Sequence, residues 1–325
     1  MNSKINRKKF LRLVSMATLG IPSLTFTACE TRKKSNESRD KTLAVEPEMH
    51  KFGDHLGLQL YTVRDYFLDN PEETLKKVAE IGYKELEFFE TQMLSQYVPV
   101  VNDLGMRVVS THFLPGYITN KWNEANQMGI NKADNYSIDH IIEDCARSQV
   151  DYMGIAILFN EERTSLDDYK LLADRANEVG EKSKAAGVQL YYHNHSFEFE
   201  PMEGTTPLEA MINIFDPDLV KLELDVFWTT ISGNDPSSWI KKLSGQVVFL
   251  HLKDLKPGVP QDYTTFDVSE EAFQAVGDGI IDFEKVLTSA QETGVKNTFV
   301  EQDHSPIDIF ESIARSYQYI QKVNL

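Results

Sequence analysis

Eight times between Leu56 and the C-terminus, a short apolar run gives way to a longer stretch with helix signals. The runs are LGLQLYTV (56–63), YKELEFFE (83–90), MRVVSTHF (106–113), DYMGIAIL (151–158), VQLYYH from Val188, LVKLELD (219–225), QVVFLHLKD (246–254) and VKNTFVEQD (295–303). Apolar runs of this length read as buried strands of a parallel sheet covered by helices. Asn70-Pro71, Thr206-Pro207, Asp235-Pro236 and Ser305-Pro306 each set a capping residue before a first-turn proline. Gly82, Gly105 and Gly187 stand where helices should stop. Ser137–Gln149, Leu166–Ala186 and Ile280–Glu292 read as further helices. Eight strand–helix units predict a single α/β domain, a (β/α)8 barrel over residues 53–325. No Gly-rich phosphate fingerprint follows the first run, which argues against a doubly wound nucleotide-binding fold.

In such a barrel, polar residues at the C-terminal ends of strands mark the active site. The fifth run continues as YYHNHSFEFE, where His193 and His195 stand two apart and therefore on one face of an extended chain. Asp225 ends the sixth run, His251 lies in the seventh and Glu301 in the eighth. His193, Asp225, His251 and Glu301 at four successive strand ends make a ligand set for one divalent cation. Lys253, two beyond His251, shares its face. Tyr61, Phe113 and Trp228 lie at strand ends where their rings could stack on a ligand, with His112 and Arg64 beside them as further expected substrate contacts. Two long loops, 114–132 and 255–279, are expected to be functional.

The N-terminus reads as a targeting segment. Lys4, Arg7, Lys8, Lys9 and Arg12 precede an apolar stretch from Leu13 to Phe26. That stretch is short for a membrane-spanning helix, and small residues before a cysteine mark a cleavage site. FTAC (26–29) resembles a bacterial lipoprotein box with Cys29 as the lipidated residue, and NRKKFLR resembles a twin-arginine signal with Lys8 in place of the second arginine. The expectations are a signal peptide over 1–28, a disordered tether over 29–52 and a periplasm-facing or surface lipoprotein, in contact with membrane only through its lipid. The chain carries 50 acidic against 33 basic residues, a net charge of −17. Such a surface repels phosphate backbones, so nucleic acid is not an expected partner. Cys29 and Cys145 make no disulfide framework.

LGLQLYTVRD, YHNHSFEF, LELDVFW, LHLKD, VGDGIIDF and FVEQD together resemble the xylose-isomerase-like barrels, sugar phosphate isomerases and epimerases to which the endonuclease IV family is distantly related. The resemblance covers Leu56 to the C-terminus. It implies one divalent metal (Mn, Zn or Mg) held by Glu, Asp, His and Glu from strands five to eight. Asp225, His251 and Glu301 match the last three. The first is a departure: His193 stands where the epimerases have Glu, so either His193 is the ligand, three ligands suffice, or Glu198 reaches back. Trp228 likewise replaces a substrate-binding His. The implied chemistry is removal of a proton beside a carbonyl, with Glu301, Glu87 and His195 as candidates for moving it and Lys253 for holding the developing oxyanion. An exported, acidic chain favours an unphosphorylated sugar over a sugar phosphate. Isomerisation or epimerisation is the first expectation, elimination from a 3-keto-glycoside by a lyase or dehydratase the second, and a non-catalytic sugar-binding lipoprotein the third. DNA repair would need a multi-zinc cluster and a basic surface. A small sugar is the expected partner, with a homodimer as the oligomer to test.

Overall fold

The structure is a computed structural model that describes residues 52–323. The expected signal peptide, Cys29 and all of the expected tether except Phe52 lie outside the described residues. Phe52 itself, assigned to the tether from sequence, is buried at the start of a short helical turn, Phe52–His55.

Ten strands follow: β1 Gly57–Gln59, β2 Glu85–Phe88, β3 Arg107–Phe113, β4 Tyr152–Ile155, β5 Gln189–His193, β6 Val220–Asp225, β7 Val247–Leu252, β8 Asp254–Leu255, β9 Phe273–Gln274 and β10 Asn297–Val300. Eight close into one parallel barrel in the order β1-β10-β7-β6-β5-β4-β3-β2, and β8 and β9 form a separate antiparallel pair. Every barrel strand expected from sequence is present. The first is shorter than expected, because Leu60–Val63 and Arg64–Asp69 turn helical directly after Gln59.

At two of the four cap–proline pairs the cap makes its hydrogen bond and the proline opens the helix. The Asn70 side chain accepts from Glu73 N, and Pro71 opens Pro71–Ile81. Thr206 and Pro207 open Pro207–Ile212 in the same way. Two expected starts are displaced. The seventh helix begins at Phe283 rather than Ile280, because Asp282 caps it. The last begins at Ile309, because the Asp308 carboxylate takes the N–H groups of Phe310 and Glu311, leaving Ser305-Pro306 in the approach.

Inside the barrel, side chains stack in layers. At the bottom, Tyr191, Phe249 and Phe299 pack ring on ring, with centroids 5.5 and 5.3 Å apart. Two strand glycines make this possible: a Cβ on Gly57 would overlap the Phe299 ring, and one on Gly154 the Tyr191 ring. Above the rings the interior turns polar. The apolar residues on the other strand faces form the large core under the helices.

The long loops after β3 and β7 carry more structure than expected. Residues 114–132 include two short helices, Gly116–Thr119 and Asn123–Gln127. In the other loop, Phe266 packs into a cluster with Leu114, Trp122, Met128 and Phe159. The neighbouring Thr265 holds φ at 61°, which is strained for a β-branched residue, and its hydroxyl meets Ser196 Oγ at 2.9 Å. The loops after β3, β4 and β7 therefore meet in a seam on the C-terminal side of the barrel, over the ends of β5 and β6.

Candidate metal centre

Register brings the strand-end residues together. His193 of β5 sits beside Glu223 of β6, and Asp225 of β6 beside His251 of β7. His193, Asp225, His251 and Glu301 offer one ligand atom each within 4.8 Å of one another, and all four are buried. This is the set expected from sequence. His251 Nδ1 lies 2.9 Å from Glu301 Oε2 and 3.9 Å from Asp225 Oδ2. Asp225 Oδ2 accepts no well-aligned hydrogen bond, and its neighbouring cation is the Lys253 ammonium at 3.2 Å. Two imidazoles and two carboxylates, buried and this close together, are a donor set that fits a divalent metal.

Lys253 is 1 % exposed, and its ammonium points into the same group, 3.2 Å from Asp225 Oδ2, 2.8 Å from Glu301 Oε2 and 2.6 Å from Asp303 Oδ2. Asp254 faces away and takes the backbone N–H groups of Leu255, Gly277, Gly279 and Ile281, so it pairs with the loop rather than with Lys253.

The protein's own charges set the titration of this group. Burial opposes charge on Lys253, but Asp225, Asp303 and Glu301 outweigh it and hold the ammonium well above its ordinary range. Burial pushes Asp225 up to about 6 against the pull of Lys253 and His251. Burial also opposes charge on Glu301, yet Lys253 and His251 hold it well below the usual carboxylate range. His193 and His195 go the other way: burial, and then neighbouring positive charge, keeps both rings neutral.

His195 lies beyond the end of β5. Its ring stacks on Phe197 at 5.6 Å with a 2° interplanar angle and tilts against Trp228 at 5.2 Å. It is 8 % exposed, and its Nδ1 has no partner. Glu198 does not reach back to the metal group; its carboxyl takes the Tyr192 hydroxyl at 2.6 Å and His195 N at 2.8 Å.

Against the ligand set lies a second polar group. Glu87, fully buried, receives Gln59 Nε2 at 2.6 Å, the Tyr191 hydroxyl at 2.6 Å and His251 Nε2 at 2.7 Å. Burial would raise its pKa, but the positive charges of His112 and His251 bring it down to about 2. Glu223 Oε2 lies 3.0 Å from both His193 Nδ1 and His112 Nε2. Glu87 and His112 thus both face into the barrel, tied to the cluster through His251 and Glu223.

Other expected substrate contacts are displaced. Phe113 alternates with His112 along β3 and packs in the core outside the barrel. Arg64 does not pair with Glu87. It donates to the carbonyls of Tyr61 and Asp303 and lies 4.0 Å over the Tyr61 ring, tying the loop after β1 to the loop after β10. The Trp228 ring is enclosed by Phe227, Phe273 and His195, and its Nε1 is buried without a partner. Sequence reasoning missed Gln59, Tyr191, Glu223 and Asp303. Three of these stand on inward strand positions, and Tyr191 and Glu223 lie two residues before a ligand, which was the available signal.

A protein named inosose dehydratase 2, from Bacillus cereus, is 27 % identical over 179 residues, 52 % of this chain and 59 % of that protein. The chain thus matches well under two-thirds of the length of such relatives. A crystal structure of a sugar phosphate isomerase/epimerase from Parabacteroides distasonis is 26 % identical with a TM-score of 0.67, covering 83 % of this chain and 94 % of that one. The IOLI protein, solved with a zinc atom, shares the fold at 17 % identity and a TM-score of 0.59, over 82 % of this chain and 96 % of that one. The sequence profile of the xylose isomerase-like TIM barrel matches residues 75–317. With the closed eight-stranded barrel and its strand-end cluster, that match makes this chain a member of the xylose isomerase-like TIM barrel family.

Proposed function

We propose that the chain is a divalent-metal-dependent enzyme that removes a proton beside the carbonyl of an unphosphorylated keto-sugar. The reading is carried by one observation, the clustering of the buried His193, Asp225, His251 and Glu301, whose ligand atoms lie within 4.8 Å of one another. A metal held by these four residues, Zn, Mn or Mg, would supply Lewis acidity to substrate oxygens. The remaining steps belong to side chains. His195 Nδ1, buried and unpartnered, is the proton acceptor. Glu301 is engaged by Lys253 and His251, which suits a ligand better than a base. As the C–H bond breaks, its electron pair moves onto the carbonyl oxygen, and the Lys253 ammonium stabilises the charge that develops there. Collapse with loss of a hydroxyl or alkoxy group at the β-carbon, which leaves with a proton, gives elimination; reprotonation of carbon gives isomerisation or epimerisation.

The inosose dehydratase relatives favour elimination, and the isomerase/epimerase structures favour the second outcome. Incubation with keto-sugars and 3-keto-glycosides in deuterated water, with and without added metal, tests the reading. Deuterium should enter at the carbon beside the carbonyl, and Glu301→Gln should cut turnover by on the order of 10²-fold or more. Product formed without exchange would favour a hydride shift instead, and full activity of Glu301→Gln would remove the strand-end carboxylate from the site. The basic, apolar and small-residue run ending at Cys29 supports a lipid-anchored place in the cell envelope. Mass analysis of the N-terminus of protein from its native host tests this, and an intact Met1 in soluble cytosol would refute it.

A further inference from the structure

We infer that Glu223 and Glu87 are positioning residues that fix the two histidine ligands in opposite tautomers. This rests on the metal reading of His193, Asp225, His251 and Glu301. An imidazole ligates a cation through a lone pair on one nitrogen only when the other nitrogen carries the proton, and a fixed acceptor for that proton selects the tautomer and orients the ring. Here the acceptors are the two glutamates. His193 donates Nδ1–H to Glu223 Oε2 at 3.0 Å, which leaves Nε2 as its ligating atom. His251 meets Glu87 Oε1 through Nε2 at 2.7 Å and Glu301 Oε2 through Nδ1 at 2.9 Å, so a cation bound beside Glu301 and Asp225 would take the place of the Nδ1 proton while Nε2–H keeps its acceptor in Glu87. Glu223 Oε1 stands 3.1 Å from the same His251 nitrogen.

The two carboxyls are themselves anchored. Gln59 Nε2 and the Tyr191 hydroxyl donate to Glu87, and His112 Nε2 lies against Glu223. Both glutamates are 0 % exposed, and each meets a histidine of the cluster directly. They therefore act through the histidines rather than on substrate. His112, His193, Glu223 and His251 also lie close enough to hold a cation of their own. In that arrangement His193 Nδ1 would coordinate and could not donate, so the two readings exclude each other.

The test uses the full chain, stripped of metal and titrated with Zn²⁺ against a chromophoric chelator. Wild type should bind one equivalent. Glu223→Gln and Glu87→Gln should each weaken binding about 10- to 100-fold and shift the visible bands of the Co²⁺ form, a readout that a purely structural role would leave in place. In the Zn²⁺ form, ¹⁵N spectra of the histidines should show Nδ1–H for His193 and Nε2–H for His251. That measurement uses wild type alone and stands even if a variant fails to fold. Reversed tautomers, variants that bind Zn²⁺ within about threefold of wild type with unshifted Co²⁺ bands, or two equivalents bound would each overturn the inference. Wild type that binds no metal would instead remove the reading on which it rests.

Discussion

At the scale of single residues, the site sets one cation against three anions. Lys253 touches Asp225, Glu301 and Asp303 at once, so its removal strands buried negative charge. Lys253→Met should therefore destabilise the metal-free protein by about 3–5 kcal/mol. Added Zn²⁺ should restore part of this, because a bound dication neutralises the same carboxylates. Chemical denaturation with and without metal measures both effects; an unchanged midpoint would mean that the lysine is not holding the group together. His195→Phe should keep the stack between Phe197 and Trp228 while deleting Nδ1. The fold should survive, and exchange of solvent deuterium into substrate should fall about 10²- to 10⁴-fold; undiminished exchange would assign the proton to another group. The cluster of His193, Asp225, His251 and Glu301 was legible because each is a metal-type residue at the end of an apolar run. Glu223 was not, since a lone acid inside KLELD reads equally as a solvated edge until register sets it beside His193. For Glu87 and His112 the inward orientation follows from sequence, but the partners each meets across the barrel do not.

At the scale of elements, every barrel strand was legible and the helix starts only partly so. A proline after a capping residue opened a helix at Pro71, Pro207 and Pro236, but not at Pro306, where Asp308 offers the better acceptor two residues later. The helix Val226–Ile231 was missed because its cap is Asp225, whose side chain accepts from Trp228 N through Oδ1 while Oδ2 faces Lys253 and the cluster. Reading Asp225 as a ligand hid its second task. The β4 glycine is an element-scale requirement. Gly154→Ala would push on the Tyr191 ring and through it on Glu87. Destabilisation of about 1–3 kcal/mol is expected, along with weaker metal binding although the substituted residue touches no ligand. Thermal unfolding and Zn²⁺ titration check the two effects separately.

At the scale of the whole molecule, buried carboxyls on the outer loops shape the response to pH. Burial pushes Glu162 and Glu198 up to about 7, against hydrogen bonds that include those from Thr119 and Tyr192. A carboxyl with a raised folded pKa adds stability below its unfolded value near 4.5 and loses it as pH rises through about 7. Asp168 shifts oppositely: burial opposes, but hydrogen bonds from Thr164 and Lys121 lower it to about 2. Its contribution is present above 3.8 and lost as pH falls toward 2. Glu162 and Glu198 should therefore pull the melting temperature down between about pH 5 and pH 8, while His193 and His195, held neutral by burial, act in the opposite sense below about 6.5. Glu162→Gln should flatten the decline between about pH 6.5 and pH 8, and a melting temperature that climbs over that interval would contradict the argument.

The seam between the loops adds a cost in time. Phe266 rests among Leu114, Trp122, Met128 and Phe159, and Thr265 is held to Ser196 at an unfavourable φ, above residues that are at most 8 % exposed. On the proposed reading, a keto-sugar would reach His195 past this contact, which is expected to part on entry and again on product release. Turnover then includes a diffusive step against solvent friction, so kcat should fall as sucrose thickens the medium. Phe266→Ala should release that dependence, because the gate no longer has to work free of its own adhesive.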